Sequence, residues 1–486
     1  MNAQELLQEI SEYCRHTGLA ESTFGRRAVN DGKLASRLRH GGRITTETLD
    51  RIRSFMSSNR SAVARPAVIE RTQERTPQRT SEAQIPPPRP AFSAMPAGVS
   101  VPATTSANGP DPQRNFRFFD NRQKYLLFVN TCSEKWVVAN RVALELANVH
   151  PRPPAMRVFD AGVGDGTVLL RTMRAMHDRF PHTPFYVVGK EISLEDVRIA
   201  LQKMSDRFCE HPATVLVLTN LAYADAPSLA VKSLSAASSM VWHEAPLTGN
   251  SAHQFEQQIT DLMPFFAQNW KAGVSPKTGN PVYERPVVLV IYRQDHKFLL
   301  DPIIPKPGGT VANYDLVIAS QPYRARASLD FKAKRVIAPL AKALGPGGRL
   351  IAIHSHGQDP GMEIIQKVWP GDNPFIHDRH QIMKAVKHEL GPAGRELNFN
   401  AYADNRSLFR YDMHTLPSEI AETSSIGTST LFAAWNAAIY VAQVEDHRVA
   451  EAAADGRYLD ATREVLHRHG ALWFYDESYV ISRRRD

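Results

Sequence analysis

An aspartate followed by three alternating glycines is the stretch of this chain best suited to bind a ligand. Asp160 ends an apolar run that predicts a short buried strand. A helical pattern starts at Thr167, directly after the glycines Gly162, Gly164 and Gly166. Glycine allows a positive φ in a tight turn and lets a ligand approach bare backbone, and the helix N-terminus adds free N–H groups. The alternative is a strand-to-helix turn that binds nothing.

A second acid follows at the end of the next strand-like segment, residues 185–189. Glu191 lies 25 positions after Gly166. In dinucleotide-binding folds an acid about 20 residues beyond the glycine turn accepts a ribose hydroxyl, and Glu191 can accept both hydroxyls of a nucleoside. Ser193 and Glu195 support the alternative, because they are typical of a helix start whose acids are solvated.

This pattern differs from the dinucleotide fingerprint G-x-G-x-x-G and resembles motif I of the class I S-adenosylmethionine (SAM) methyltransferases. The resemblance implies that the glycine turn passes under the methionine part of SAM and that Asp160 helps to hold its ammonium group. It implies the ribose contact for Glu191. It also implies adenine contacts for Asn220 and Leu221, which follow the third strand. SAM is therefore the predicted cofactor, and no metal is predicted.

The segment Ser320-Gln-Pro-Tyr323 follows the fourth parallel strand. It is similar to the [Asn/Asp/Ser]-Pro-Pro-[Tyr/Phe/Trp] motif of methyltransferases that act on planar amines, including adenine N6. In that motif the first side chain accepts amine hydrogens and the aromatic ring stacks on the acceptor. The resemblance implies acceptor contacts for Ser320 and Tyr323. Gln321 replaces the first proline, and the alternative is that Pro322 simply ends a strand.

Two histidine-containing segments are weaker candidates. His354 and His356 share one face of a predicted strand, and with Asp359 they can form a metal site. We favour the interpretation that they are polar residues of a loop at this edge, with a single histidine base as a milder option. His243-Glu244 is a similar candidate.

Alternating strand and helix patterns predict the elements that position these residues. They predict an α/β fold with a Rossmann-like, mostly parallel sheet and an antiparallel last strand. Residues 226–312 are predicted to be an insertion between strands three and four, in which 298–300 pair with 287–292 as a hairpin. Residues 472–482 are predicted to be a closing antiparallel pair. The predicted parallel strands are 156–159, 185–189, 214–219, 314–319 and 349–354.

The N-terminal residues predict a separate helical module. Helical patterns at 2–16, 21–29, 33–40 and 46–55 resemble a helix-turn-helix of the phage-repressor type, which places Lys33, Arg37 and Arg39 beside DNA. A docking or dimerisation bundle is an equally weighted alternative. Residues 58–112 carry ten prolines and predict a disordered linker. The predicted domains are 1–57 (helical module), 58–113 (linker) and 114–486 (methyltransferase domain).

Composition limits the classes of function. The net charge of +8 is concentrated at residues 1–119, which hold 17 Lys/Arg and 11 Asp/Glu, and residues 120–486 carry only +2. Three scattered cysteines exclude a disulfide framework and fit a reducing compartment. Apolar runs are too short to span a bilayer, and no N-terminal signal is visible. A cytoplasmic protein without a membrane partner is expected.

These observations favour a SAM-dependent methyltransferase. Because residues 120–486 are nearly neutral, a small molecule or a protein is favoured as the methyl acceptor. The basic N-terminus favours two alternatives. One is a nucleic-acid methyltransferase that acts on amino groups and is guided by the N-terminal module. The other is a non-catalytic, SAM-binding regulator associated with DNA.

Overall fold

The chain forms two compact units in the computed structural model, one within residues 1–104 and one within 105–486. The structure describes residues 3–17, 20–29, 31, 33–39, 46–60, 122–275, 281–417, 420 and 425–485. The predicted linker therefore lies outside the described residues from position 61 onward. No helix in these ranges is long and apolar enough to cross a membrane.

The N-terminal unit is helical, as its amphipathic patterns predict. Leu6, Ile10, Phe24, Leu34 and Leu38 form its buried core, because apolar residues three or four positions apart share one helix face. The last helix continues three residues beyond the predicted boundary at position 57. The helices are α1 (Ala3–Thr17), α2 (Glu21–Val29), α3 (Leu34–Arg39) and α4 (Thr46–Arg60).

The larger unit is built on one ten-stranded sheet whose order is β10-β12-β9-β8-β1-β2-β3-β7-β4, with β11 paired to β12. A separate hairpin is formed by β5 and β6. The strands are β1 (Met156–Asp160), β2 (Phe185–Lys190), β3 (Thr214–Thr219), β4 (Val241–Leu247), β5 (Ala272–Val274), β6 (Pro281–Tyr283), β7 (Val287–Arg293), β8 (Tyr314–Ser320), β9 (Leu344–Ser355), β10 (Leu397–Asn400), β11 (Leu408–Asp412) and β12 (Trp473–Arg483).

Five neighbouring strands of the sheet are parallel, in the order β3-β2-β1-β8-β9. This is a doubly wound, Rossmann-like arrangement, and the chain reverses direction across the sheet between β1 and β8. Ligands of such sheets bind outside the carboxyl ends of the strands at this switch point. The predicted fold class is confirmed, and Asp160 and Ser320 end the two strands that flank the switch.

Helices cover both faces of the sheet. Val158 and Phe159 pack into different hydrophobic layers, because successive side chains of a strand point to opposite faces. The helices of this unit are α5 (Arg122–Thr131), α6 (Glu134–Glu145), α7 (Thr167–Arg179), α8 (Leu194–Gln202), α9 (Ser205–Glu210), α10 (Leu234–Ser238), α11 (Ala252–Thr260), α12 (Met263–Asn269), α13 (Lys297–Leu300), α14 (Ala338–Lys342), α15 (Pro360–Val368), α16 (Arg379–Leu390), α17 (Asp404–Ser407), α18 (Thr428–Val441), α19 (Asp446–Asp455) and α20 (Arg457–His469).

The predicted insertion extends the sheet. Its strand β7 pairs antiparallel with β3 on one side and parallel with β4 on the other. The hairpin predicted between 287–292 and 298–300 is wrong, because β7 has no free edge for a third strand. Residues 297–300 form the short helix α13 instead, with Leu300 buried and Phe298 exposed.

The predicted closing pair at residues 472–482 is also wrong, because β12 is one continuous strand. It pairs antiparallel with β9 on one edge and with β10 and β11 on the other. Asp476 and Glu477 interrupt the apolar pattern of this segment, but both are buried inside the strand. Their partners across the sheet are Ser355 and His354, so two acids lie at the carboxyl end of β9.

Candidate cofactor and acceptor site

The glycine turn connects β1 to α7, and its glycines have different structural roles. Gly164 and Gly166 have φ values of 53° and 81°, which glycine adopts without steric cost. A Cβ on Gly166 would lie 2.8 Å from the Cα of Ala200, so this glycine allows α7 to approach α8. Gly162 is exposed, and a Cβ there would meet only the carbonyl oxygen of Ser320, at 3.9 Å. Gly162 is therefore the position where a ligand can approach the backbone.

Asp160 is a buried acid at the end of β1, only 1% exposed. Its Oδ1 accepts the N–H of Gly162 at 3.0 Å. Its Oδ2 is buried and has no hydrogen-bond partner within the described ranges. Burial, together with the nearby Glu191 carboxylate, raises the pKa of Asp160 to about 7. A cationic group placed at Oδ2 would stabilise the ionised form.

Glu191 is largely occupied by the main chain. Its Oε2 accepts the N–H of Gly164 at 2.8 Å, and its Oε1 accepts the N–H groups of Ile192 and Ser193. A carboxylate has about four lone-pair sites, so one position on Oε2 remains for a ligand. The ribose contact stays a prediction, and this single position leaves room for one hydroxyl instead of the two predicted. Burial also raises the pKa of Glu191.

Helix α5 covers the glycine turn, which the sequence did not indicate. The hydroxyl of Tyr125 accepts the N–H of Asp165 at 3.1 Å. Arg122 forms an ion pair with the fully buried Asp196 of α8 at 2.7 Å. Asp165 also pairs with Lys203 at 2.6 Å. The contacts of Tyr125 and Arg122 hold α5 over the turn and restrict access to it from that side.

A cavity of about 910 Å³, here called the main cavity, lies across the carboxyl ends of β2, β3, β8 and β9. Leu221 and Tyr323 are among its lining residues, as is Asn220, whereas Asp160, Glu191, Ser320 and the three glycines are not. Further walls come from α5, α18 and the strand β6 of the predicted insertion. Its volume is within the range of ligand cavities in proteins.

Asn220 and Leu221 follow β3 at one end of the main cavity. The amide of Asn220 donates to the carbonyl of Arg285 at 2.9 Å and accepts the N–H of Val287 at 2.8 Å. Both groups of this side chain therefore join β3 to the start of β7. Leu221 presents an apolar surface to the cavity and is otherwise in the core.

Tyr223 and Lys190 are two cavity residues that the sequence did not single out. The Tyr223 hydroxyl donates to the carbonyl of Pro322 at 2.7 Å, which joins the loops after β3 and β8. The Lys190 ammonium lies 4.7 Å from the centre of the Tyr223 ring. Burial lowers the pKa of Lys190. Aromatic side chains at strand ends are common in protein cores, so the sequence alone does not predict the hydrogen bond between Tyr223 and Pro322.

The two predicted acceptor residues, Ser320 and Tyr323, lie in different surroundings. Tyr323 lines the main cavity at 7% exposure. The Ser320 hydroxyl is buried away from the cavity, without a hydrogen-bond partner in the described part of the chain. The Lys332 ammonium lies 5.2 Å from the Tyr323 ring centre and donates to the carbonyl of Ala325 at 2.8 Å. Burial lowers the pKa of Lys332 to about 8, and this lysine belongs to a π-helix, Phe331–Ile337.

Gln321 connects two buried carboxyl groups at this end of the main cavity. Its Nε2 lies 3.3 Å from Oε1 of Glu134, 3.2 Å from Oδ1 of Asp476 and 3.1 Å from Oγ of Ser355. Its own φ is 47°, which is uncommon for a residue with a side chain. Such strain occurs where the surroundings hold a residue in place, often at functional sites. Sequence reasoning missed this cluster.

His354, within β9, and His356, just after it, both lie close to Glu477. His354 lies 3.3 Å and His356 3.9 Å from Oε1 of Glu477, and Arg379 pairs with its other oxygen. Burial opposes ionisation of Glu477, but these partners hold its pKa at about 2. Asp359 accepts the N–H of Met362 and caps α15 instead. No cluster with metal-ligand geometry occurs among the described residues.

The remaining predicted positions lie elsewhere. The His243 ring stacks on Phe265, and Glu244 accepts the Tyr292 hydroxyl at 3.2 Å. In the N-terminal unit, Arg37 pairs with Asp31 at 2.8 Å, and Arg39 pairs with Glu21 at 2.6 Å. Lys33 is exposed. DNA contact by this surface stays a prediction.

No protein-family model matches the chain, and no curated protein matches its sequence. Solved structures with a detectable likeness include the plantazolicin methyltransferase BpumL in complex with SAH (8% identity, TM-score 0.28, 75% of this chain and 91% of that chain). A geranyl diphosphate methyltransferase with GPP and sinefungin gives 13% identity and a TM-score of 0.25 over 71% of this chain and 78% of that chain. A Galdieria sulphuraria protein assigned as a sarcosine dimethylglycine methyltransferase gives 8% identity and a TM-score of 0.30 over 72% of this chain and 85% of that chain. At these scores, functional inference depends on the residues of this chain.

Proposed function

We propose that the larger unit is a SAM-dependent methyltransferase that acts on a small-molecule or protein acceptor. The observation that carries the proposal is the position of the main cavity. It lies at the carboxyl ends of the parallel strands, around a switch point that holds a glycine turn and two buried acids. The net charge of only +2 over residues 120–486 supports a small molecule or protein over nucleic acid as acceptor.

The residues at the switch point fit SAM. Asp160 Oδ2 is a buried oxygen with no partner in the described ranges, and it would pair with the ammonium of the methionine part. Gly162 leaves its main chain open. The remaining lone pair of Glu191 Oε2 would accept one ribose hydroxyl. Leu221 would pack against the adenine, and we retain Asn220 as the residue that positions this loop.

When bound, SAM supplies a methyl group on a sulfonium for in-line transfer. The contribution of the protein is to align the acceptor with that methyl group. Tyr323 and Gln321 lie at the end of β8, where an acceptor would meet the cavity wall, and the Tyr223–Pro322 hydrogen bond fixes their loop. We propose Tyr323 as an acceptor contact. Ser320 is proposed to affect the acceptor indirectly, because it holds the end of β8 in place and does not contact the acceptor itself.

Calorimetric titration of the full-length protein with SAM tests the proposal. One SAM should bind per chain, and saturation at 100 times Kd should raise the free energy of unfolding by about 2.7 kcal/mol. Gly162→Ala should weaken SAM binding about tenfold or more, because the new methyl group occupies the open backbone position.

Gly309→Ala is the matched control. Gly309 is also exposed, and its Cβ would likewise meet only one carbonyl oxygen, at 3.7 Å from Lys306. The Gly309→Ala variant should bind SAM with the affinity of the natural protein. No heat of binding and no thermal stabilisation with SAM would contradict the proposed function. Equal affinity in both variants would contradict the position assigned to the cofactor.

A further inference from the structure

Among the described residues that line the main cavity, Glu134 is the only acid. It opens helix α6, and its side chain is 4% exposed. Oε1 faces Gln321 Nε2 at 3.3 Å, and Oε2 pairs with Lys135 at 2.9 Å. Burial disfavours the charge on Lys135, but the Glu134 carboxylate raises the pKa of this lysine above its ordinary value. Glu134 is therefore an ion-paired acid at the cavity wall.

Aromatic rings line the same cavity as Glu134, and two of them, Tyr411 and Tyr440, interact electrostatically with its carboxyl group. Phe128, Tyr411 and Tyr440 all line the main cavity. The ring centres of Phe128 and Tyr440 are 4.6 Å apart, and those of Phe128 and Tyr411 are 6.2 Å apart. Aromatic faces attract alkylammonium cations through the negative face of the ring, most strongly where water is excluded. A cluster of rings next to a carboxylate suits a cation that carries alkyl groups.

A second acid lies at this end of the cavity, whose lining also includes the basic residues Lys190, Arg324 and Arg335. Glu134 and Lys135 together are neutral, but Asp476 lies on the other side of the Gln321 amide, fully buried. Its Oδ2 has no hydrogen-bond partner in the described part of the chain. Burial raises the pKa of Asp476 well above its usual range, and the Glu134 charge adds to this effect. A cation that enters the site would favour ionisation of Asp476.

We propose that the methyl acceptor is an aliphatic amine, cationic when free, and that Glu134 receives its nitrogen among the rings of Phe128, Tyr411 and Tyr440. This inference rests on the proposed function for the reaction. The amine proton passes to the Glu134 carboxylate, and the nitrogen lone pair then forms the N–C bond. The C–S bond of the sulfonium donor breaks and leaves its electron pair on sulfur. The product is a more highly methylated ammonium, which the same rings can hold.

Binding of two isosteric probes tests the site independently of turnover. Choline carries a trimethylammonium group, and 3,3-dimethylbutan-1-ol has the same shape without the charge. The full-length protein should bind choline about tenfold or more tightly than the neutral alcohol, because a desolvated cation gains from both rings and carboxylate. Glu134→Gln should remove this preference while SAM affinity stays within about twofold.

Glu145→Gln is the matched control, since Glu145 is also a buried, ion-paired acid on α6 but lies outside the main cavity. It should keep the choline preference, and thermal unfolding checks that both variants fold. Equal affinity for the two probes in the natural protein, or an unchanged preference in Glu134→Gln, overturns the inference. Loss of SAM affinity in Glu134→Gln also overturns it and assigns Glu134 to the cofactor. Failure of SAM to bind the natural protein, with the choline preference intact, contradicts the proposed function alone.

Discussion

The buried carboxyl groups around the switch point differ in how many hydrogen bonds they already accept, and this difference separates their roles. Glu191 accepts three main-chain N–H groups and so stabilises the glycine turn. Asp160 accepts one and keeps a buried oxygen without a partner in the described ranges. Burying an acid without enough partners costs stability. Asp160 is therefore the acid at the glycine turn whose buried oxygen, unpaired in the part of the chain described, is best explained by a ligand.

Asp160→Asn should stabilise the protein in a pH-dependent way. The unfolded acid loses its proton near pH 4, and the folded acid near pH 7. Between these values the folded state binds more protons, so stability falls as pH rises and the full penalty is present above pH 7. The gain from Asn should be about 2–3 kcal/mol larger at pH 8 than at pH 5. Urea unfolding at both pH values measures it.

Asp178→Asn is the control for this measurement, because Asp178 is exposed on α7. It should change stability little at either pH. A gain for Asp160→Asn that is the same at pH 5 and pH 8 would contradict the explanation. Asp160→Asn should also bind SAM more weakly than the natural protein, so its stability and its ligand affinity should change in opposite directions.

The sequence revealed the residues whose chemistry depends on local spacing. Asp160, the alternating glycines and Glu191 were found because a turn and the next strand end lie close together along the chain. Glu134 and Gln321 are 187 positions apart, and no local pattern reports a contact of that kind. Asn220 was predicted as a ligand contact, but its amide is occupied by the backbone 65 and 67 positions further on.

At the scale of elements, the parallel strands and an antiparallel last strand were predictable, but the pairing of β7 and β4 with the sheet was not. Strands covered on both faces appear as apolar runs, which located β1, β2, β3 and β8. The pairing of β7 with β3 depends on contacts about 70 positions apart, so the sequence predicted an insertion where the structure has an extended sheet. That extension matters for the site, since β6 within it supplies one wall of the main cavity.

Asn220→Ala should destabilise the join between β3 and β7. The change leaves the buried N–H of Val287 without its acceptor, which costs about 1–3 kcal/mol. Urea unfolding followed by tryptophan fluorescence measures the loss. Asn130→Ala is the control, because its exposed amide bonds only to Leu126 within α5, and it should stay within about 0.5 kcal/mol. An equal cost for the two variants would favour a ligand role for Asn220.

At the scale of the whole molecule, each unit has a hydrophobic core of its own. The core around Phe24 contains only residues of the N-terminal unit, and the three other cores contain only residues from Phe128 onward. The charge is divided in a similar way, with most of the net positive charge in residues 1–119. The larger unit is therefore expected to fold and to bind SAM without the basic N-terminal unit.

Removal of residues 1–104 should leave the larger unit unchanged in stability and SAM affinity. All six tryptophans lie at position 136 or later, so their fluorescence reports the larger unit alone in both the full chain and the shortened one. Because the cores share no residues, the unfolding free energies should agree within about 0.5 kcal/mol. Calorimetry should give the same SAM affinity. A lower stability together with weaker SAM binding in the shortened chain would show that the N-terminal unit supports the site, and would exclude its role as an independent module for DNA or protein docking.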